Sequence, residues 1–326
     1  MPHFPPLLSA LSHHAAQASG TTAHPISMFQ AVVLGLLQGV SELFPISSLG
    51  HTVLFPTLFG WHTVVQMQSK PESPWLAFVV MLHVGSAIGL LLYFWRDWVE
   101  IIGAFFRSLV RRRIETPTER LAWLIVVASI PAGVLGVALE HQLRVALAKP
   151  TAAAYFLMVN GVILVSAEYL RRRSAARTAA VAAPPSASAV GVEVRSGRRL
   201  DTLEFKEAGI IGLAQSSALI AGISRDGVCM TTGLWRGLDY EDSARFAFLL
   251  ATPIILAAGV YKVSDLTGPL GHGVRPEAAV ACLCAAVAAI FSVAFLMRWF
   301  KTRTLRPFGV YCLLFGAAMA VYTAVS

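Results

Sequence analysis

Two short stretches of this chain hold the residues that could do chemistry. Residues 38–51 carry Gln38, Glu42, Pro45, Ser47, Ser48, Gly50 and His51, and residues 221–227 carry Ser224, Arg225, Asp226 and Gly227. Gln38 and Glu42 are four apart, which places them on one helix face. Pro45 is expected to end that helix. Ser47, Ser48 and Gly50 then offer hydroxyls and a permissive backbone where a second helix starts, and the free N–H groups of such a start favour an anion. Arg225 presents a planar fork that grips phosphate through two hydrogen bonds. Glu42 beside an anionic ligand calls for more positive charge. One or two carboxylates with phosphate oxygens is the usual pattern for Mg2+, with Ca2+ as the alternative. An acid, an imidazole, hydroxyls and a guanidinium together suit phosphoryl transfer, which depends on positioning and charge stabilisation.

The two stretches are copies of one pattern. Gly35, Leu36, Leu37 and Gln38 align with Gly212, Leu213, Ala214 and Gln215. Ile46 to Gly50 align with Ile223 to Gly227 at the same offset of 177 residues. Paired, interrupted apolar segments in two halves of a membrane protein point to a polar site where the repeats meet. Ionisable residues placed there are functional by default.

Composition sets the class. The chain has 326 residues, of which 56% are hydrophobic and 13% charged. A soluble domain has about 25% charged residues, so this is an integral membrane protein. The net charge of +8 does not point to nucleic acid, because the basic residues gather between apolar spans. Cys229, Cys282, Cys284 and Cys312 lie in apolar segments and read as small core residues. Residues 1–27 lack a basic start and a continuous apolar run, so they read as a flexible tail and not as a signal peptide.

The pattern divides the chain into a first repeat at 28–170, a basic linker at 171–205 and a second repeat at 206–326. Each repeat opens with an interrupted segment, 28–60 or 206–236. The breaks are expected at Pro45 and Gly50, and around Gly222 and Gly227. Each half-segment is too short for a bilayer core that needs about 20 residues. A re-entrant helical hairpin results, tolerated where protein or a water-filled cavity covers its tip. Spans are expected at 76–95, 121–139, 152–170, 246–262, 278–297 and 308–325. The predicted fold is all-α and polytopic, with about six transmembrane helices, two re-entrant hairpins and inverted-topology repeats. Arg96, Arg107, Arg111, Arg112, Arg113 and Arg120 crowd one loop. The linker and the 298–306 loop are also basic, whereas 140–150 and 263–277 are poorer in Lys and Arg. Basic loops in the cytoplasm make the first hairpin dip in from outside and the second from inside.

Blander readings apply to several residues. Ser41 and Ser217 read as packing residues. A purely structural Glu42–Arg225 pair is the plain alternative to a reactive one. His83, inside a span, is expected to be packed or hydrogen-bonded. Trp95, Trp98 and Trp299 fit an interfacial belt.

Residues 38–51 and 221–227 resemble the undecaprenyl-diphosphatase family of bacterial inner membranes, the bacitracin-resistance phosphatases. The resemblance rests on Gln38 to Glu42 leading into Pro45, Ser47, Ser48, Gly50 and His51, on Gly222, Ser224, Arg225 and Gly227, and on Phe94, Trp95 and Arg96. It covers about residues 28–325. It implies hydrolysis of undecaprenyl diphosphate to the monophosphate and inorganic phosphate, at a periplasm-facing site that needs a divalent cation. The resemblance makes Glu42, Ser48, His51 and Arg225 the catalytic candidates. Glu42 would hold the metal or act as base, with Gln38 a weaker ligand. Ser48 and His51 would be a nucleophile and its proton partner, with water as the alternative nucleophile. Ser47, Ser224, Arg225 and Gly227 would bind substrate. The expected partners are the membrane and a polyprenyl diphosphate lipid, with a homodimer allowed.

The chain departs from the family pattern at four positions. Gln38 stands for the commoner Glu, Ala221 for Pro, Asp226 for Ser and Cys229 for Thr. Asp226 is expected to be a further metal ligand or to neutralise Arg225. A transporter or flippase for polyprenyl phosphate or another anion is the competing reading, since inverted repeats suit alternating access equally well.

Overall fold

The computed structural model of the chain describes residues 25–68, 70, 73–147, 149–181, 197–262, 268, 271 and 273–325. The expected N-terminal tail up to residue 24, and linker residues 182–196, lie outside the described residues. Twelve α-helices occur among the described residues. They are α1 Met28–Ser41, α2 Ser48–Leu58, α3 His62–Gln68, α4 Pro74–Tyr93, α5 Trp95–Arg111, α6 Pro117–Leu147, α7 Pro150–Val181, α8 Phe205–Gln215, α9 Arg225–Trp235, α10 Tyr240–Tyr261, α11 Arg275–Trp299 and α12 Arg306–Val325. The six helices α4, α6, α7, α10, α11 and α12 are long and apolar enough to cross a bilayer, with mean hydropathies between 1.6 and 2.6. The protein is a multi-pass α-helical membrane protein, and all six expected spans are found.

Both interrupted segments form helix–break–helix pairs, α1 with α2 and α8 with α9. Local chemistry sets their ends. Ser27 and Gln30 form a capping box at the start of α1. Ser47 caps α2 by accepting a hydrogen bond from the Gly50 amide, and Ser224 caps α9 in the same way from the Gly227 amide. This corrects the expected break positions. Gly50 and Gly227 lie inside the first turns of the second half-helices, because the Ser three residues earlier supplies the cap. The first break is Glu42 to Ser47, and the second is Ser216 to Ser224 with a short 3-10 turn at Ser216–Leu219.

The segment after α4 is also more ordered than a basic loop. It contains α5, an amphipathic helix that buries Ile101, Ala104 and Ser108 while Val99, Ile102, Phe106 and Val110 stay exposed. Such a helix suits the membrane interface, where exposed apolar residues meet acyl chains.

The packing of the two halves is reciprocal. α11 of the second half packs on α1 and α4 of the first, while α6 of the first packs on α8 and α10 of the second. α7 packs on its counterpart α12, and α4 on its counterpart α10. Small residues permit the close approach. A Cβ on Gly35 would lie 2.5 Å from the Ala281 carbonyl oxygen, and one on Gly212, its repeat mate, 2.2 Å from that of Ala128.

One glycine is required by conformation as well. Gly222 has φ +105, and a Cβ there would sit 2.5 Å from the Ala153 carbonyl oxygen and 2.7 Å from the Leu157 amide nitrogen. Gly222→Ala should therefore lower stability by about 1–3 kcal/mol or more. Thermal unfolding in detergent reads this directly, and an unchanged midpoint would contradict the close approach of the second tip to α7.

Candidate active site

The two hairpin tips meet. The Gly222 amide donates to Ser47 Oγ at 3.2 Å, so one hydroxyl serves both its own helix start and the opposite hairpin. Asn160 of α7 joins them a second time. Its Nδ2 donates to the Pro45 carbonyl at 2.9 Å, and its Oδ1 accepts from the Ser224 amide at 3.0 Å. Asn160 did not stand out in the sequence. Its signal was a lone amide inside an apolar span, and buried amides there are held by partners. The N-termini of α2 and α9 thus face one junction, each contributing the positive end of a helix dipole.

Ser47 is strained. Its φ of 69 lies in the left-handed region, unusual for a residue with a side chain. Hydrogen bonds hold it there. Its Oγ accepts from two amides, and its carbonyl accepts from the His51 amide at 3.1 Å and contacts His51 Nδ1 at 2.8 Å. A residue in so sparse a region persists where its surroundings over-determine it, and such residues cluster at functional sites.

Glu42 is the hub of the site. It is the C-cap residue of α1, and its carboxylate is almost fully buried. Oε1 pairs with Arg225 Nη2 at 2.7 Å. Oε2 accepts from Gln38 Nε2 at 3.0 Å and from the Ser48 hydroxyl. His83 Nε2 of α4 lies 3.4 Å from the same oxygen. Arg225 also faces Asp226 at 3.4 Å, and its Nη1 is buried without a hydrogen-bond partner.

A cavity of about 610 Å³ opens over this cluster. Glu42, Ser47, Ser48, His83, Ser224 and Arg225 line it, while Leu76, Val79, Ile254, Ile255 and Ala258 give it an apolar flank between α4 and α10. A mostly apolar cleft with a few convergent polar groups is what a ligand site looks like.

The structure brings together Gln38, Glu42, Ser48 and Arg225, with Ser47 and Ser224 beside them. Gly227 lies behind, as the donor to the Ser224 cap. Ser41 and Ser217 bond back to carbonyls of their own segments, as packing residues do. One expectation needs correction, and one candidate ligand lies off the cavity wall. His51 does not partner Ser48. Its Nδ1 is engaged by the Ser47 carbonyl, its Nε2 by the Tyr311 hydroxyl at 2.9 Å, and its ring stacks on Tyr311 and Phe315 of α12. The aromatic face of α12 takes the ring away from the cavity. Asp226 is fully buried and is not part of the cavity wall. Among the described residues no group of three His, Cys, Asp or Glu side chains is placed to hold a metal. Asp226 lies 3.4 Å from Arg225, whose charge it can offset. Conversely His83, expected to be merely packed or hydrogen-bonded, does bond its own helix through Nδ1, yet it also faces the cavity.

The family model "Bacitracin resistance protein BacA" matches residues 31–318. The chain is 52% identical over 305 residues to an undecaprenyl-diphosphatase of Mycolicibacterium paratuberculosis, covering 93% of this chain and 99% of that protein. It is 48% identical over 342 residues to undecaprenyl-diphosphatase 2 of Frankia alni, covering 93% of this chain and 100% of that one. With Chromobacterium violaceum undecaprenyl-diphosphatase 2 the identity is 40% over 306 residues, covering 92% of this chain and 100% of the relative. On a family match spanning both hairpin tips and on relatives 40% to 52% identical over more than nine-tenths of its length, the chain belongs to the bacitracin resistance protein BacA family.

Proposed function

We propose that this protein hydrolyses undecaprenyl diphosphate to undecaprenyl phosphate and inorganic phosphate. The observation that carries this reading is Glu42, joined to Ser48 through one oxygen and to Arg225 through the other, at the wall of a cavity with an apolar flank. The flank suits a prenyl chain, and the opposed helix starts suit its diphosphate.

In this reading Ser48 is the nucleophile and Glu42 its base, because the hydroxyl already donates to the carboxylate. The Ser48 proton passes to Glu42 Oε2 as Oγ attacks the terminal phosphorus. The bond from that phosphorus to the bridging oxygen breaks, and undecaprenyl phosphate leaves with that oxygen. The leaving phosphate takes up the proton held by Glu42, which frees the carboxylate. Water then attacks the phosphorus on Ser48, giving its proton to Glu42, and that proton returns to Ser48 Oγ as inorganic phosphate leaves. Arg225 stabilises the charge on the transferring group, with Nη1 free to take a phosphate oxygen while Nη2 stays on Glu42. A transporter would use Arg225 and the helix dipoles but has no use for the Ser48–Glu42 hydrogen bond.

A divalent cation fits this site as a companion of the substrate. Gln38, fully buried behind the cavity wall, leaves its Oε1 without a partner beside Glu42, and this oxygen with the Glu42 carboxylate at the wall would hold it together with phosphate oxygens. Bound there, Mg2+ or Ca2+ would offset the charge of the diphosphate.

We also read the two halves as inverted repeats, which the reciprocal packing of α6 and α11 supports. The cavity rim includes Trp75, Lys149, Pro150 and Gly259, at helix ends opposite the Arg-rich segments. With those segments cytoplasmic, the site faces the periplasm across a bacterial inner membrane.

The test is phosphate release from a long-chain polyprenyl diphosphate by the purified protein, with Mg2+, with Ca2+ and with chelator, beside Glu42→Ala. Cation-dependent release that falls about a hundredfold or more in the variant is expected. A folded, lipid-binding wild type that releases no phosphate would overturn the reading.

A further inference from the structure

His83 is the one side chain touching Glu42 that this scheme leaves without a task. It lies on α4, and its position is set by backbone packing. Gly85 and Gly89 press the helix onto α11 so closely that a Cβ at Gly85 would lie 2.2 Å from the Cys282 carbonyl oxygen. Its Nδ1 is 2.9 Å from the Val79 carbonyl oxygen. An acceptor there requires Nδ1 to carry the ring hydrogen, which leaves Nε2 for the cavity. Nε2 stands 3.4 Å from Glu42 Oε2, and the His83 side chain is 25% exposed against 14% for Arg225 and 6% for Glu42. His51 is the opposite case, at 1% exposure with both nitrogens engaged elsewhere.

Glu42 is therefore flanked by two nitrogen-bearing side chains, Arg225 at one oxygen and His83 at the other. A phosphate group entering the cavity brings oxygens that compete for both. We propose that His83 is a substrate-binding residue whose Nε2 hydrogen-bonds the bound diphosphate. The inference rests on the diphosphatase reading and adds a contact that the two motifs do not contain. An imidazole nitrogen accepts from a P–OH group and an imidazolium donates to an ionised oxygen, so the contact forms with either form of the ring. A glutamine amide can do both as well, whereas alanine and leucine can do neither.

The experiment uses full-length protein in detergent with His83→Ala, His83→Leu and His83→Gln. Two quantities are measured: steady-state phosphate release, and binding of a methylene-bridged prenyl diphosphonate that cannot be hydrolysed. Alanine and leucine should raise KM and weaken analogue binding by about tenfold or more, with kcat within about threefold of wild type. Glutamine should recover most of the lost affinity. A structural role alone would not be rescued by glutamine and would appear as a lowered thermal midpoint in leucine and glutamine alike. Unchanged analogue affinity in His83→Ala overturns the contact, as does a fall in kcat with affinity intact. If wild type binds the analogue but releases no phosphate, the diphosphatase reading fails while the binding arm still decides the His83 contact.

Discussion

Ser48→Ala should lower phosphate release by about a thousandfold or more while leaving binding of a non-hydrolysable diphosphonate within a few-fold of wild type. Ser48 is the first residue of α2, so its backbone belongs to the helix start and its hydroxyl is available to Glu42. Ser47 cannot take over. Its Oγ is already the acceptor for the Gly50 and Gly222 amides, and losing it would loosen the contact between the tips. The replacement removes one oxygen from a site otherwise held by Asn160, Ser47 and Ser224, so the fold should survive. Single-turnover assays with radiolabelled substrate would add a second readout, since label trapped on wild-type protein and absent from the variant marks the covalent step. Release persisting within tenfold of wild type would instead make water the nucleophile, with Glu42 as its base.

Arg225→Lys should lower kcat/KM by about 10²–10³. The side chain is mostly buried, pairs with Glu42 Oε1 and faces Asp226. Lysine keeps the charge but has no planar fork, so it cannot hold Glu42 and a phosphate oxygen through parallel donors. Arg225→Ala should be worse in a second respect. It leaves two buried carboxylates without their cation, and breaking a buried pair in this way costs about 3–5 kcal/mol. The lysine variant should stay folded and bind lipid, which separates lost chemistry from lost structure. A lysine variant with activity within fivefold of wild type would remove the bidentate role.

How much of this was legible in advance follows from the range of each signal. The six spans were readable because long apolar runs need no partner to be recognised. The hairpins were readable because two internal copies of one pattern shared a Gln, a Ser and their glycines at one offset. The Gln38–Glu42 contact is a same-face helix neighbour and follows from spacing alone. The break positions were less legible. Proline and glycine are general breakers, but Ser47 and Ser224 decided where the second half-helices begin, through caps that draw Gly50 and Gly227 into the first turn. The helix α5 was hidden by its arginines, which dominated the reading of that segment as a loop.

The amino-acid sequence by itself determined the membrane class, the two-copy architecture and the set of reactive groups, because hydropathy, helical periodicity and repetition are properties of the chain. Tertiary structure alone decided which groups meet. Glu42 finds Ser48 across a break, Arg225 from the other repeat, and His83 from a neighbouring span. His51, three residues from Ser48, is turned to Tyr311 of the last helix instead. Side-chain direction at a tip depends on backbone angles such as the positive φ of Ser47, which local bonds from Gly50 and His51 and one from Gly222 of the other hairpin hold together. The local pattern does not complete them, because the Gly222 and Asn160 bonds that join the tips exist only once the two hairpins and α7 have packed together.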